Sequence, residues 1–197
     1  MTAQIPDTFR YRNQKYDIIA MINHIGFNPR AYGLQPHSSS TACWRGYWCE
    51  YAIENGKLML ERLFMYNKDN YYPDLNGASV LPQVDEHGRP LGRFGHRIYV
   101  PHMEIDYTGK LILGNDFLPE FYIHMGFQRP WAFRELLEFD FVNGQLEKVI
   151  DHSEKAEFVR KRIMDNPEEY DELLYSSMFS FVEDDFSLDE DEIANWK

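Results

Sequence analysis

The sequence predicts a mainly β protein, an antiparallel meander of about eight strands that forms a barrel, a sandwich or one strongly curved sheet, with a C-terminal helical segment. Two observations predict the β part: aromatic residues, which are enriched in strands, make up 16% of the chain, and a pattern of alternating apolar residues around a short turn recurs. A third observation, helical spacing of apolar residues after position 150, predicts the last segment.

Three segments carry the recurring hairpin pattern, with turns predicted at Asn13-Gln14, Asn55-Gly56 and Asn143-Gly144. Asn-Gly between alternating apolar residues favours a hairpin, because both residues of its two-residue turn need a positive φ. The turn at Asn55-Gly56 sets Tyr51 opposite Leu60. It also predicts an ion pair between Glu54 and Lys57.

Three further β segments complete the predicted sheet. Residues 103–113 fit a hairpin with a three-residue turn at 107–109, because this register keeps the apolar residues on one face. Residues 41–54 are predicted as one long strand that leads into the second hairpin. Residues 117–127 are predicted as a strand whose apolar face is Phe121, Ile123, Met125 and Phe127.

Helical spacing begins after the third hairpin. Asp151 or Ser153 is expected to cap a helix that runs to about residue 164, with Ala156, Val159 and Ile163 on one stripe. Asn-Pro at 166–167 then predicts the start of a second helix. The chain therefore divides into a β domain, residues 1–150, and a helical segment, residues 151–197, expected to pack on the same domain.

Negative charge is concentrated at the C-terminus. Residues 165–197, the acidic arm, hold twelve acidic side chains and one basic one, a net charge of −11, whereas the whole chain carries −12. Blocks of like charge are typical of solvated faces and of interaction tails. Candidate partner-binding residues of the arm are Glu183, Asp184, Asp185, Asp189, Glu190, Asp191, Glu192 and Trp196.

The charge balance and the motifs exclude several classes of function. An acidic chain argues against direct nucleic-acid binding, and the sequence lacks the apolar run of a membrane helix. Cys43 and Cys49 are too far apart on an extended strand for a disulfide, so we expect buried free thiols and a cytoplasmic protein. We find no catalytic signature, metal-ligand spacing or cofactor motif. The preferred hypothesis is a non-enzymatic inhibitor or immunity-like factor that engages a basic protein through residues 165–192.

The alternative hypothesis is a small-ligand-binding β-barrel or a small enzyme with a pocket formed by Arg45, Tyr47, Tyr122 and His124. On a continuous strand Arg45 would point inward, where a cation needs a carboxylate, an aromatic face or a ligand. Two structural explanations stay open for Arg45. It either stacks on an aromatic neighbour, Tyr47 or Trp44, or turns outward because the strand breaks at Gly46.

Residues 67–97 form a long connection rich in Gly, Pro, Asn and Asp. Loops of this length in a compact domain are usually functional or disordered. Its second half supplies a candidate anion-binding loop with Arg89, Arg93 and Arg97, which could bind phosphate or the acidic arm of the same chain.

The segments TACWRGYWCEY, at 41–51, and FYIHMGF, at 121–127, resemble segments of a set of uncharacterised bacterial proteins. The resemblance spans about residues 5–150 and leaves out the acidic arm. It implies a bacterial, single-domain origin and transfers no activity and no functional residue.

Overall fold

The computed structural model describes residues 4–84, 86–89, 96–124 and 128–166. They form one large, mostly antiparallel sheet with a C-terminal helix, which confirms the mainly β class. The sheet is ring-like but is not a regular barrel. Its elements are β1 (Thr8–Tyr11), β2 (Gln14–Ile22), β3 (Tyr47–Glu54), β4 (Lys57–Met65), β5 (Leu81–Pro82), β6 (Arg97–Tyr99), β7 (Met103–Glu104), β8 (Gly109–Phe117), β9 (Phe133–Val142), β10 (Gln145–Asp151) and α1 (Ser153–Asp165).

The strand order is β10-β9-β8-β2-β1-β3-β4-β6-β5, with β7 paired to β4. One contact between β10 and β4, Gln145 opposite Lys57, closes the ring. The neighbours β1 and β3 run parallel, so the sheet is not a simple meander. A parallel pair needs a long crossover, and the chain between β2 and β3 forms part of that crossover.

The second and third hairpins have the predicted register. Tyr51 pairs with Leu60, and Phe141 pairs with Leu146. Asn55 and Gly56 have φ values of 52° and 81°, as a two-residue hairpin turn requires.

The first hairpin is shifted by one residue from its prediction. Tyr11 pairs with Gln14, so the turn residues are Arg12 and Asn13, at φ values of 49° and 63°. This register spares Gln14 a positive φ. It also pairs Phe9 with Tyr16, and both of these side chains are buried in the core.

The predicted hairpin over residues 103–113 is wrong. β7 pairs with β4, whereas β8 pairs with β2 on one edge and with β9 on the other. Because both edges of β8 are occupied, no edge remains for β7. The predicted Glu54–Lys57 ion pair is also wrong. Because β7 pairs with β4, Lys57 Nζ instead contacts Glu104 Oε2, on β7, at 2.6 Å.

Two predicted strands end or begin elsewhere. The strand predicted over 41–54 begins only at Tyr47, after Gly46 at φ 78°. The strand predicted over 117–127 is wrong, because β8 ends at Phe117 and a 3-10 turn follows at Pro119–Phe121. Proline lacks the N–H that a central strand needs. Met125 and Phe127 lie outside the described residues.

The main core fills the inner face of the ring, with Phe9, Tyr16, Tyr51, Leu58, Leu60, Leu111, Phe139 and Phe141 among its members. Helix α1 packs on the opposite face of β8 and β9. Ala156 and Ile163 are buried there and Val159 packs at the edge, which confirms the predicted stripe. Asp151 Oδ1 accepts a hydrogen bond from the backbone N of Ser153 at 2.9 Å, at the start of the helix.

Candidate functional site

Gly46 brings two loops together before β3 begins. A Cβ at this position would lie 2.3 Å from the backbone oxygen of His37, so this approach requires glycine. The contact is fixed by backbone hydrogen bonds from His37 N to Tyr66 O, at 2.8 Å, and from Tyr66 N to Gly46 O, at 3.0 Å. The loop with His37 therefore lies directly against the turn that carries Arg45.

Arg45 is held by a carboxylate rather than buried in the core. Its Nη1 donates to Asp7 Oδ2 at 3.0 Å, its Nη2 donates to Asp7 Oδ1 at 2.5 Å, and its Nε donates to the Tyr47 carbonyl at 2.7 Å. Asp7 Oδ1 also accepts a hydrogen bond from the backbone N of Cys49 at 2.6 Å. Both structural explanations for Arg45 are correct. The strand breaks at Gly46, and the guanidinium lies 4.9 Å from the Tyr47 ring centroid.

The electrostatics of this cluster follow from burial and charge. Burial lowers the pKa of Arg45, but the Asp7 carboxylate outweighs this effect and the net pKa is raised. Burial raises the pKa of the Tyr47 phenol, and the charges of Arg45 and Arg30 act in the opposite direction. Tyr47 thus lies within the field of two guanidinium groups.

Two histidines beside this cluster have one ring nitrogen committed to the backbone. His24 Nδ1 lies 2.6 Å from the carbonyl oxygen of Ile25, and His37 Nδ1 lies 3.0 Å from that of Gln35. A carbonyl oxygen only accepts, so each Nδ1 carries the hydrogen. The Nε2 atom of each ring is the atom left to meet a ligand.

These residues surround a cleft, named here the histidine–arginine cleft, of about 630 Å³. This volume is within the range of pockets that hold small organic ligands, about 300–1,000 Å³. Its basic lining residues are His24, Arg30, His37 and Arg45, and its aromatic lining residues are Phe27, Trp44 and Tyr47. The remaining lining residues are small or uncharged, so no acidic side chain of the described residues lines the cleft.

The structure separates the four residues of the predicted pocket. Arg45 and Tyr47 line the histidine–arginine cleft, whereas Tyr122 and His124 do not. Tyr122 and His124 follow the 3-10 turn at Pro119–Phe121, with their ring centroids 6.4 Å apart. The Tyr122 side chain is exposed and lies edge-on to Phe117. The strand predicted over 117–127 placed Tyr122 and His124 on one face, but no sequence pattern joined that face to Arg45 and Tyr47.

The arginines of the predicted anion-binding loop do not form one cluster among the described residues. Arg89 is exposed, Arg97 belongs to β6 with its guanidinium 5.8 Å from the Tyr72 ring centroid, and Arg93 lies outside the described residues. The connection over 67–97 contains β5 and the buried side chains of Asn67 and Leu75. All eight candidate partner-binding residues of the acidic arm, from Glu183 to Trp196, also lie outside the described residues.

His24, Arg30 and His37 were not predicted from the sequence as ligand-binding residues. A compositional signal was present, because residues 23–40 contain two histidines and one arginine but no Asp or Glu. The contact between this segment and the turn at Gly46 has no sequence pattern of its own, since it joins two irregular loops.

Cys43 and Cys49 are buried free thiols, as predicted. Among the residues that the structure describes, no group of three or more His, Cys, Asp or Glu side chains is placed to hold a metal ion. In the same part of the chain, no helix is long and apolar enough to cross a membrane. No protein-family model matches the chain, and no curated protein or solved structure matches it significantly.

Proposed function

We propose that this protein binds a small organic anion in the histidine–arginine cleft. The observation that carries the proposal is a cleft of about 630 Å³ lined by two arginines and two histidines, with no acidic side chain among the described residues that line it. A cleft lined by one sign of charge raises the local concentration of ligands of the opposite sign. The two free, buried cysteines fit a reducing compartment, and we place the protein in the cytoplasm.

Arg30 is the main anchor for the anion in this proposal. The Arg45 guanidinium already binds the Asp7 carboxylate through two hydrogen bonds. The Arg30 side chain instead makes one long hydrogen bond to a described residue, 3.4 Å from Nη2 to the Pro36 carbonyl oxygen, and no ion pair with a described carboxylate. Its positive charge is therefore available to a carboxylate or phosphate, which guanidinium groups bind in a forked geometry.

Isothermal titration calorimetry with phenyl phosphate tests this proposal. Arg30→Gln is expected to weaken binding about tenfold or more, because a charge-assisted hydrogen bond is lost. Arg134→Gln is the matched control, since Arg134 is an exposed arginine paired with Asp116 and does not line the cleft. Absence of saturable binding by the native protein, or equal affinities for native protein and Arg30→Gln, would contradict the proposal.

A second candidate function is supported by the net charge of −11 over residues 165–197. An arm of this charge suits a basic protein partner, since opposite charges accelerate encounter and exclude wrong partners. The test is a pull-down from native lysate with a salt gradient. It compares the full chain with a full-length variant in which the seven acids between Glu183 and Glu192 become Gln or Asn. A partner retained equally by both, and indifferent to salt, would exclude this candidate.

A further inference from the structure

Trp44 has an unusual combination of a fixed backbone and an open side chain. Its backbone N donates to Gln4 Oε1 at 2.9 Å, and the next residue, Arg45, is bound to Asp7. The residue as a whole is nevertheless 60% exposed. Tryptophan is highly buried on average because its ring carries so much apolar area.

The other tryptophans of the described residues have conventional packing. Trp48 stacks on Phe64 with ring centroids 5.0 Å apart, and Trp131 is buried beside α1. Trp44 is thus the one described tryptophan that lines the histidine–arginine cleft, and its apolar face is exposed.

The other aromatic residues of the cleft are less accessible than Trp44, because Phe27 is buried and Tyr47 is half-buried. The Tyr47 ring is covered by the Arg45 guanidinium at 4.9 Å, and Phe27 stacks on Tyr32 with centroids 5.7 Å apart. Trp44 has no ring or cation contact with another described residue. It is the aromatic surface of the cleft that is available to a ligand.

The size of the cleft indicates that the ligand is larger than a bare ion. A cleft of about 630 Å³ suits an organic molecule that fills most of it, whereas an inorganic anion at Arg30 would leave the Trp44 side exposed to water. An aromatic ring on an indole face adds stacking energy to simple burial.

From these observations we infer that the ligand is an aromatic ring bearing a phosphate or carboxylate, with the ring stacked on Trp44 and the anionic group directed to Arg30. The inference rests on the proposed anion-binding function and specifies its ligand class. Two contacts, one aromatic and one ionic, then fix both ends of the ligand.

The test compares two pairs of probes that differ only in the ring. Phenyl phosphate is compared with cyclohexyl phosphate, and benzoate with cyclohexanecarboxylate, by calorimetry on the full chain. Native protein is expected to prefer the planar ring about three- to tenfold in at least one pair. The pair with the larger preference identifies the anionic group as phosphate or carboxylate.

Variants assign that preference to Trp44. Trp44→Leu is expected to remove the preference for the planar ring, and Trp44→Phe is expected to restore most of it. Tyr71→Leu is the control, because Tyr71 is 63% exposed and does not line the cleft. It should keep the native preference.

The outcomes separate this inference from the function on which it rests. Equal binding of planar and saturated rings by native protein would overturn the inference and leave the anion-binding function standing. A ring preference that persists in Trp44→Leu would also overturn it. Failure of all four probes to bind would overturn both.

Discussion

Asp7 and Arg45 form a two-point ion pair that joins the segment before β1 to the turn before β3, with oxygen–nitrogen distances of 2.5 and 3.0 Å. The Asp7 side chain is only 9% exposed, whereas that of Arg45 is 36% exposed. The carboxylate also accepts a hydrogen bond from the Cys49 backbone. One buried acid therefore holds the N-terminal segment, the first residues of β3 and one wall of the histidine–arginine cleft.

Asp7→Asn is expected to lower the free energy of unfolding by about 3 kcal/mol, because it leaves a partly buried guanidinium without its carboxylate. Urea denaturation measures this loss. Asp116→Asn is the matched control, since the Asp116–Arg134 pair is exposed on both sides and such pairs contribute about 0–1 kcal/mol. Similar losses in the two variants would show that the Asp7 pair is no stronger than a surface pair.

Gly46→Ala is expected to destabilise the protein by about 3 kcal/mol or more, through a positive φ and overpacking. The new Cβ would lie 2.3 Å from the His37 oxygen, which is backbone and cannot rotate away. Gly77→Ala is the control, because Gly77 has φ +77° but open space around its Cβ position. Its cost should be limited to the strain of the positive φ, about 1 kcal/mol. Urea midpoints of both variants measure the difference, and equal midpoints would contradict the close approach of the two loops.

Glu138 predicts a specific loss of stability in acid. Its carboxylate lies 2.9 Å from His152 Nε2 and 2.7 Å from Lys110 Nζ. The hydrogen bond from His152, opposed by burial and supported by Lys110, lowers the pKa of Glu138 from 4.5 to about 2. The carboxylate is thus stabilised in the folded state, so its contribution is complete above pH 4.5 and is lost as the pH falls toward about 2.

The Glu138→Gln variant isolates this contribution. At neutral pH it should be less stable than native protein by about 3 kcal/mol, as expected when one partner of a buried charged cluster is removed. The difference should shrink as the pH falls from 4.5 toward about 2. Urea unfolding at several pH values measures it, with Glu147→Gln on the exposed face of β10 as control. A stability difference that does not change with pH would contradict the assignment.

Local sequence patterns predicted the parts of the fold that are decided locally. The Asn55-Gly56 turn needs two positive φ values, and these residues supply them whatever the rest of the chain does. The stripe on α1 follows in the same way from helical spacing. The register of the first hairpin was missed by one residue, because burial of Phe9 and Tyr16 together outweighs the nominal turn pattern.

The parts that were missed depend on competition between distant segments. Residues 103–113 carry a valid hairpin pattern, but β2 and β9 occupy the edges of β8 that this hairpin would use. Only part of the candidate site was predicted, because its other residues also reach it through contacts between distant segments. Arg45 and Tyr47 were identified from their unusual local composition, whereas His24, Arg30 and His37 join them only through loop contacts made possible by Gly46.

Arg160 tests how firmly α1 is attached to the sheet. Its side chain is buried, and Nη1 donates to the carbonyl oxygens of Trp131 and Phe133 at 3.1 and 2.7 Å. Burial lowers the pKa of Arg160, but the guanidinium stays charged because arginine is so strongly basic. Arg160→Met keeps most of the packing of the long side chain and leaves both carbonyls without this donor.

We expect Arg160→Met to lower the free energy of unfolding by about 2–3 kcal/mol, the usual cost of losing hydrogen bonds to a buried charged group. In Arg160→Met, amide hydrogen exchange should accelerate more in α1 than in β8 and β9, because among the described residues the helix packs on the sheet through one face. Lys161→Met is the control, since its pair with Glu157 is exposed. If Arg160→Met unfolds at the native midpoint with unchanged exchange in α1, apolar contacts of Ala156 and Ile163 alone attach the helix.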